Sequence, residues 1–311
     1  MGIYCMKLSL GLSVSLLSIT VATSLCSDAA NAQANNFADI SFAVQHDDNI
    51  TRAFLSDDQL SDNSAHATLS AGRLLQLPNL DTFSLFAELG RHHFATLDGL
   101  NSNHLTLGAS YQHKFGLGAL APTLSSSFSW TLEDSRTEIR SREFNTLDVN
   151  FRKRLSNAWD FSAGVSVENS DGKYDGAMYA SMYSPDNDIF DFSQTSAFTG
   201  INYTFANYST LNLSYSFIDG YTVSNALAPN PTLLAIADAL TIDAAIPAPI
   251  GRNIVAYTLE TSAHIWTLDW SYPIGRDTSI SAAYSWQDIS ARAGVDYSNN
   301  RISLTLMHIL K

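Results

Sequence analysis

The chain has 311 residues, of which 45% are hydrophobic and 15% are charged, and this balance excludes a disordered protein. Its net charge of −13 excludes the basic surface that nucleic-acid binding requires, so no nucleic-acid partner is expected.

The first 32 residues have the organisation of a secretory signal peptide. Lys7 supplies a short positive region, residues 8–21 are apolar apart from Ser, Gly and Thr, and an Ala-Asn-Ala cleavage site ends at Ala32. A lipoprotein signal at Cys26 is the alternative, but Leu25 stands where lipidation needs a small residue. Cleavage after Ala32 removes both cysteines, which suits a chain that crosses an oxidising periplasm.

The remaining residues, 33–311, alternate between apolar and polar side chains in segments of about ten residues. In residues 264–272, for example, three aromatic residues and a leucine share one face, and the polar residues share the other. A helix would mix these faces, and no stretch approaches the roughly twenty apolar residues of a membrane-spanning helix. This pattern predicts an all-β domain that crosses a membrane with strands.

About twelve strands are predicted, an even number as single-chain bacterial barrels require. The three clearest strands cover Leu211–Phe217, His264–Tyr272 and Ile280–Trp286. The others are centred near Phe42, Leu69, Leu85, Leu107, Phe128, Val149, Val165, Ile201 and Leu304. Tight turns alternate with long loops, which is the rhythm of an antiparallel transmembrane β-barrel with its tight turns on the periplasmic side.

Aromatic residues near the ends of the outward faces predict two interfacial girdles. Toward the periplasm these are Tyr111, Phe151, Trp159, Phe161, Phe205 and Tyr272, and toward the outside Phe94, Trp130, Phe217 and Trp286. A soluble all-β fold would also alternate, but the recurrence of aromatics at both ends favours a membrane barrel.

With these features, the mature chain resembles the outer-membrane β-barrel superfamily over essentially its whole length. The segments Asp47–Ala53 (DDNITRA) and Lys114–Gly118 also resemble uncharacterised proteobacterial barrel proteins of porin-like type. The resemblance implies an outer-membrane location, contact with outer-membrane lipid and lipopolysaccharide, and insertion by the barrel-assembly machinery. The chain departs from this class at Met307–Lys311, which lacks the usual terminal aromatic residue.

The inward positions are rich in Ser, Thr and Gly, among them Gly72, Gly108 and Gly164, so a narrow water channel is expected. Charges of both signs also fall on inward positions, namely Lys114, Arg140, Arg142, Arg152, Glu88, Asp148, Glu168 and Asp269. They predict a mixed-charge constriction that orients small polar solutes. Internal ion pairs that hold the barrel shut are the alternative interpretation.

The longest connection, residues 219–254, contains the helix-start signal Asn230-Pro231 followed by a mostly apolar run. It could fold into the outer mouth as a constriction, rest on the rim or dock a partner, and folding over or into the mouth is the favoured prediction. The other outer loops are acidic, and Asp186-Asn187-Asp188 could bind Ca²⁺, although a solvated surface is the favoured interpretation.

A porin-like channel for small polar solutes is the predicted function, and a non-conducting surface or scaffold barrel with acidic outer loops is the alternative. A less favoured alternative is a lipid hydrolase, because Ser262 and His264 share a strand face near Asp288 or Ser290. His92, His93 and His113 lack metal-ligand spacing, and no dinucleotide signature is present. No catalytic residue, metal or cofactor is therefore expected.

Overall fold

The structure is a computed structural model that describes residues 33–77, 81–173, 188–228 and 230–310. The predicted signal peptide, residues 1–32, lies outside these ranges, as do Asp186 and Asn187 of the acidic cluster. The described strands are β1 Gln33–Asp47, β2 Asp62–Gln76, β3 Thr82–Phe94, β4 Ser102–Lys114, β5 Thr123–Ser135, β6 Arg142–Arg154, β7 Trp159–Gly172, β8 Phe192–Thr204, β9 Thr210–Leu227, β10 Ala239–Ile242, β11 Ile254–Pro273, β12 Thr278–Ala291 and β13 Tyr297–Leu310.

Twelve of these strands form the closed wall of an antiparallel barrel. Strands β1 to β9 pair in chain order, β9 pairs with β11, and β12 and β13 lead back to β1. Strand β10 is not part of the wall and pairs only with β11. The prediction of about twelve strands is confirmed, and closure leaves no sheet edge with unpaired backbone groups in lipid.

The side chains of the wall alternate as the sequence predicts. Large apolar side chains on the outer face of the wall are about half exposed, for example on strands β1 to β4 and β6: Ile40, Leu69, Leu85, Leu107 and Leu147. An aqueous protein would bury such a continuous apolar band, whereas hydrocarbon solvates it. Within the described ranges, no helix combines the length and apolar character that crossing a membrane requires.

One predicted girdle residue is wrong. Phe94 is only 8% exposed and packs inside the outer end of the barrel, where Leu97, Leu100 and Ile246 contact it. The reason is strand parity, because Phe94 lies two residues after His92, which also lines the interior. Trp159, Phe205, Tyr272 and Trp286 are exposed on the outer face, as predicted.

Strands β9 and β11 are longer than their neighbours, with 18 and 20 residues. The predicted connection over 219–254 is therefore too long at its start, because residues 219–227 continue the ladder with 254–262. The connection itself holds a short helix, α1 (Pro231–Ile236), and strand β10. The predicted helix start is confirmed, since the Asn230 side chain accepts a hydrogen bond from the Leu233 amide at 3.3 Å.

We call residues 228–253, between β9 and β11, the cap. Its side chains are buried against three other outer segments of the chain. Leu233 and Leu240 pack in a cluster with Val295, which precedes β13. Ala245 and Ile246 pack on Phe94, Leu97 and Leu100, and Ala239 packs on Ile189 and Phe190. The main apolar clusters therefore lie at the outer end of the barrel, where the cap covers the mouth as the sequence predicts.

Candidate functional site

A cavity of about 540 Å³ lies in the outer half of the lumen, and its lining residues Phe94, Leu100 and Arg140 contact the cap. Four arginines and three carboxylates line it, namely Arg52, Arg140, Arg142, Arg301, Asp47, Glu133 and Glu168. Apolar side chains complete the lining, including Ile50, Phe94, Phe190, Ile218, Ile265 and Ile289. The cavity thus offers both charged and apolar surface to a solute.

Arg140 joins the wall to the cap. It lies in a short 3-10 helix, Glu138–Arg140, and not on a strand. Its Nη2 donates to Asp243 Oδ2 at 2.5 Å and to Asn225 Oδ1 at 2.8 Å, and its Nε donates to the same carboxylate at 3.0 Å. The Asp243 side chain is fully buried and also accepts from the Ala245 amide at 2.9 Å. This arginine therefore neutralises a buried carboxylate of the cap.

Arg142, at the start of β6, pairs with one carboxylate on each of the two neighbouring strands, β5 and β7. Its Nε donates to Glu133 Oε2 at 3.0 Å, and its Nη1 lies 3.7 Å from Glu168 Oε1. The guanidinium also lies 4.5 Å from the centroid of the Phe144 ring. Arg142 and Glu168 are both predicted site residues, and Glu133 is an additional partner that shares the inward face of β5 with Ser127.

The other predicted lumen residues lie farther from the cap. Glu88 and Asp148 are at the middle of β3 and β6, where each accepts a hydrogen bond from a serine of the neighbouring strand, at 2.7 and 3.3 Å. Asp269 lies on the inward face of β11. Lys114 ends β4, and Arg152 pairs with Asp160 at 3.4 Å near the periplasmic end of β6. The eight residues therefore occupy several levels of the lumen, and only Arg140, Arg142 and Glu168 line the cavity.

Phenylalanine rings occupy part of the space that the lumen glycines were expected to leave open. Phe86 lies opposite Gly108 and Phe198 opposite Gly164 on paired strands. A Cβ at Gly108 would be 2.2 Å from the Phe86 ring, and one at Gly164 would be 2.4 Å from the Phe198 ring. Phe37 covers Gly72 in the same way. These aromatic rings narrow the lumen below the cavity.

We expect Phe86→Ala to increase single-channel conductance, because the substitution removes a ring that lies across Gly108 in the lumen. Leu85→Ala is the matched control, since Leu85 is the preceding residue, is 51% exposed and faces away from the lumen. Conductance in planar bilayers is the measurement. Equal conductance of Phe86→Ala and the unsubstituted protein would show that this ring does not limit passage.

Three histidines that the sequence did not predict to be neighbours form a cluster inside the barrel. The His66 ring lies 5.5 Å from the His92 ring and 5.3 Å from the His104 ring, between centroids, on strands β2, β3 and β4. His66 and His92 are register partners, and Gly90 leaves room for the His104 ring. His104 Nε2 lies 3.3 Å from Glu88 Oε1. Only the strand register brings these residues together, so spacing along the chain gives no signal.

The residues of the hydrolase alternative do not form a triad in the structure. His264 faces outward, and its Nδ1 hydrogen-bonds the Tyr215 hydroxyl at 2.7 Å. Asp288 lies opposite His264 and Ser290 opposite Ser262 in the ladder, but no hydrogen bond joins Ser262 to His264. Among the residues that the structure describes, no group of three or more His, Cys, Asp or Glu side chains has the geometry to hold a metal ion.

No protein family and no curated protein matches the sequence. Solved structures match the fold. The COG4313 outer membrane channel from Pseudomonas putida F1 superposes with a TM-score of 0.54 at 12% identity, over 88% of this chain and 96% of that one. The chain has the fold of an outer-membrane channel. The KdgM porin in complex with oligogalacturonate matches 87% of this barrel and 98% of its own chain, with a TM-score of 0.44 and 11% identity.

Proposed function

We propose that the protein is an outer-membrane channel that passes small polar solutes through a narrow lumen, with the cap limiting passage at the outer mouth. The observation that carries this proposal is the charged cavity of about 540 Å³ inside a closed wall of twelve strands. Charged side chains that border an open cavity inside the wall form a hydrated surface that a small polar solute can contact. The shared fold with outer-membrane channels supports the same function and the same location.

The test is a planar-bilayer recording of the mature chain, purified in detergent and refolded. We expect discrete, reproducible conductance steps that are small for a twelve-stranded barrel, because the cap and the lumen phenylalanines occupy much of the cross-section. A sample that runs as a folded barrel in unboiled gels but leaves the bilayer silent would contradict the channel. That result would favour the non-conducting surface barrel, whose acidic outer loops would then be tested for partners.

A further inference from the structure

The segment Asp47–Ala53 follows β1 and folds into the outer mouth, where hydrogen bonds fix its conformation. Asn49 is almost fully buried, and its side chain donates to the Ala53 carbonyl and accepts from the Ala53 amide, both at 3.0 Å. Thr51 is equally buried and donates to the Asp58 carbonyl at 2.8 Å, while its own carbonyl accepts from the Asn225 amide at 2.8 Å. The loop is thus tied both to itself and to β9.

This rigid loop holds Arg52 in an unusual backbone conformation with its side chain at the cavity. The φ angle of Arg52 is 51°, in the left-handed region that non-glycine residues rarely adopt. Strained backbone of this kind persists where the surrounding structure enforces it, and it concentrates at ligand sites. The Asn49 and Thr51 hydrogen bonds supply that enforcement here.

Arg52 differs from the other three arginines of the cavity in its lack of a carboxylate partner. Arg140 pairs with Asp243, Arg142 with Glu133 and Glu168, and Arg301 with Asp47 at 2.9 Å. Among the described residues, no carboxylate lies within ion-pair distance of the Arg52 guanidinium, and Tyr297 and Asp47 are the neighbours that favour its charged form. Burial lowers the pKa of Arg52 below its ordinary value, although a guanidinium stays charged at neutral pH.

Asp47 is the nearest candidate to neutralise Arg52, but its oxygens are already used. Oδ2 accepts from Arg301 at 2.9 Å, and Oδ1 accepts from the Asn49 amide at 3.0 Å and from Asn299 at 3.2 Å. A partly buried arginine at a cavity without a carboxylate of its own is the arrangement that a bound anion completes. A carboxylate ligand fits the two parallel N–H donors of the guanidinium.

From this geometry we infer that the cavity binds a small organic anion, whose carboxylate pairs with Arg52 and whose apolar body packs on the apolar lining. Ile50, Phe94 and Phe190 belong to that lining. The inference rests on the proposed channel function and names its solute class as compact carboxylates with an apolar or aromatic body. The DDNITRA segment then has the role of presenting the arginine.

The test is calorimetric titration of the folded protein in lipid nanodiscs with benzoate, benzamide and acetate. Benzamide keeps the ring without the charge, and acetate keeps the charge without the ring. We expect benzoate to bind at least about tenfold more tightly than either, since a charge-assisted pair contributes about 1.4 kcal/mol or more. Equal affinity for benzoate and benzamide in the unsubstituted protein would overturn the inference without any variant.

Arg52→Gln is the variant that tests the residue. We expect it to weaken benzoate binding about tenfold, to the level of benzamide, and to leave benzamide binding unchanged. Arg136→Gln is the matched control, because Arg136 is an exposed loop arginine paired with Asp98 and should leave benzoate affinity unaltered. Tight benzoate binding by a folded Arg52→Gln variant would show that a side chain other than Arg52 binds the carboxylate.

Conductance measured on the same preparations separates this inference from the proposed function. Conductance without benzoate binding would support the proposed channel and contradict the anion site. A protein that does not conduct contradicts the channel, and the calorimetry then reports only on a binding cavity.

Discussion

Replacing residues 229–252 with a two-residue Asn-Gly turn is expected to raise single-channel conductance severalfold. Ala228 and Asn253 are already joined by a backbone hydrogen bond at 2.9 Å, so a tight hairpin turn can close β9 onto β11. The replacement removes α1, β10 and Ile246, which cover the mouth, but leaves all twelve wall strands. The barrel should therefore remain folded, and slower migration in gels on boiling would verify this.

A matched control for the cap replacement lies within the cap itself. Ile250 is fully exposed, whereas Leu233 is completely buried against Tyr257 and Val295. We expect Ile250→Ser to conduct like the unsubstituted protein, and Leu233→Ser to show more frequent or larger openings because the cap packs less firmly. Unchanged conductance after removal of residues 229–252 would mean that solutes do not pass beneath the cap.

Arg140→Gln is expected to loosen the cap, because it leaves the Asp243 carboxylate buried without a counter-charge. Removing one partner of a buried ion pair costs about 3–5 kcal/mol, and the Arg140 and Asp243 side chains are 17% and 0% exposed. Part of that cost should appear as opening of the cap, through which Asp243 regains water. The measurements are limited proteolysis within residues 228–253 of the folded protein and the open fraction in bilayers.

Two comparisons identify the buried charge as the cause. The double variant Arg140→Gln with Asp243→Asn should recover most of the protection, because an amide replaces the unpaired carboxylate. Arg136→Gln breaks an ion pair whose partners are both more than 60% exposed, so its effect should stay below about 1 kcal/mol. Equal proteolysis of Arg140→Gln and Arg136→Gln would show that the Arg140–Asp243 pair does not hold the cap.

The sequence and the structure agree where side-chain alternation decides the outcome. All twelve wall strands contain a predicted segment, and leucines at the apolar positions, such as Leu69 and Leu107, lie on the outer face. Parity succeeds because the two-residue period of a strand is a local property of the backbone. It also explains the one wrong girdle residue, since Phe94 follows the inward parity of β3.

The sequence alone does not predict which side chains contact one another inside the barrel. Arg140 and Asp243 are separated by 103 residues, and the cluster of His66, His92 and His104 exists only because three strands pair in one register. The rings of Phe86 and Phe198 fill space that the small inward residues Gly108 and Gly164 were expected to leave open. Each of these depends on which residue lies opposite, and register is a non-local property of the sheet.

Alternation of apolar and polar residues along each strand is enough to predict a β-barrel with a lipid-facing exterior and a polar interior. Only the folded structure reveals which segments the cap packs against, and that Arg52 lines a cavity without a carboxylate partner among the described residues. Coulombic and packing interactions depend on distance in space, which the spacing of residues along the chain does not give. Loops far apart in the chain, such as residues 47–60 and 228–253, pack together only once the barrel has closed.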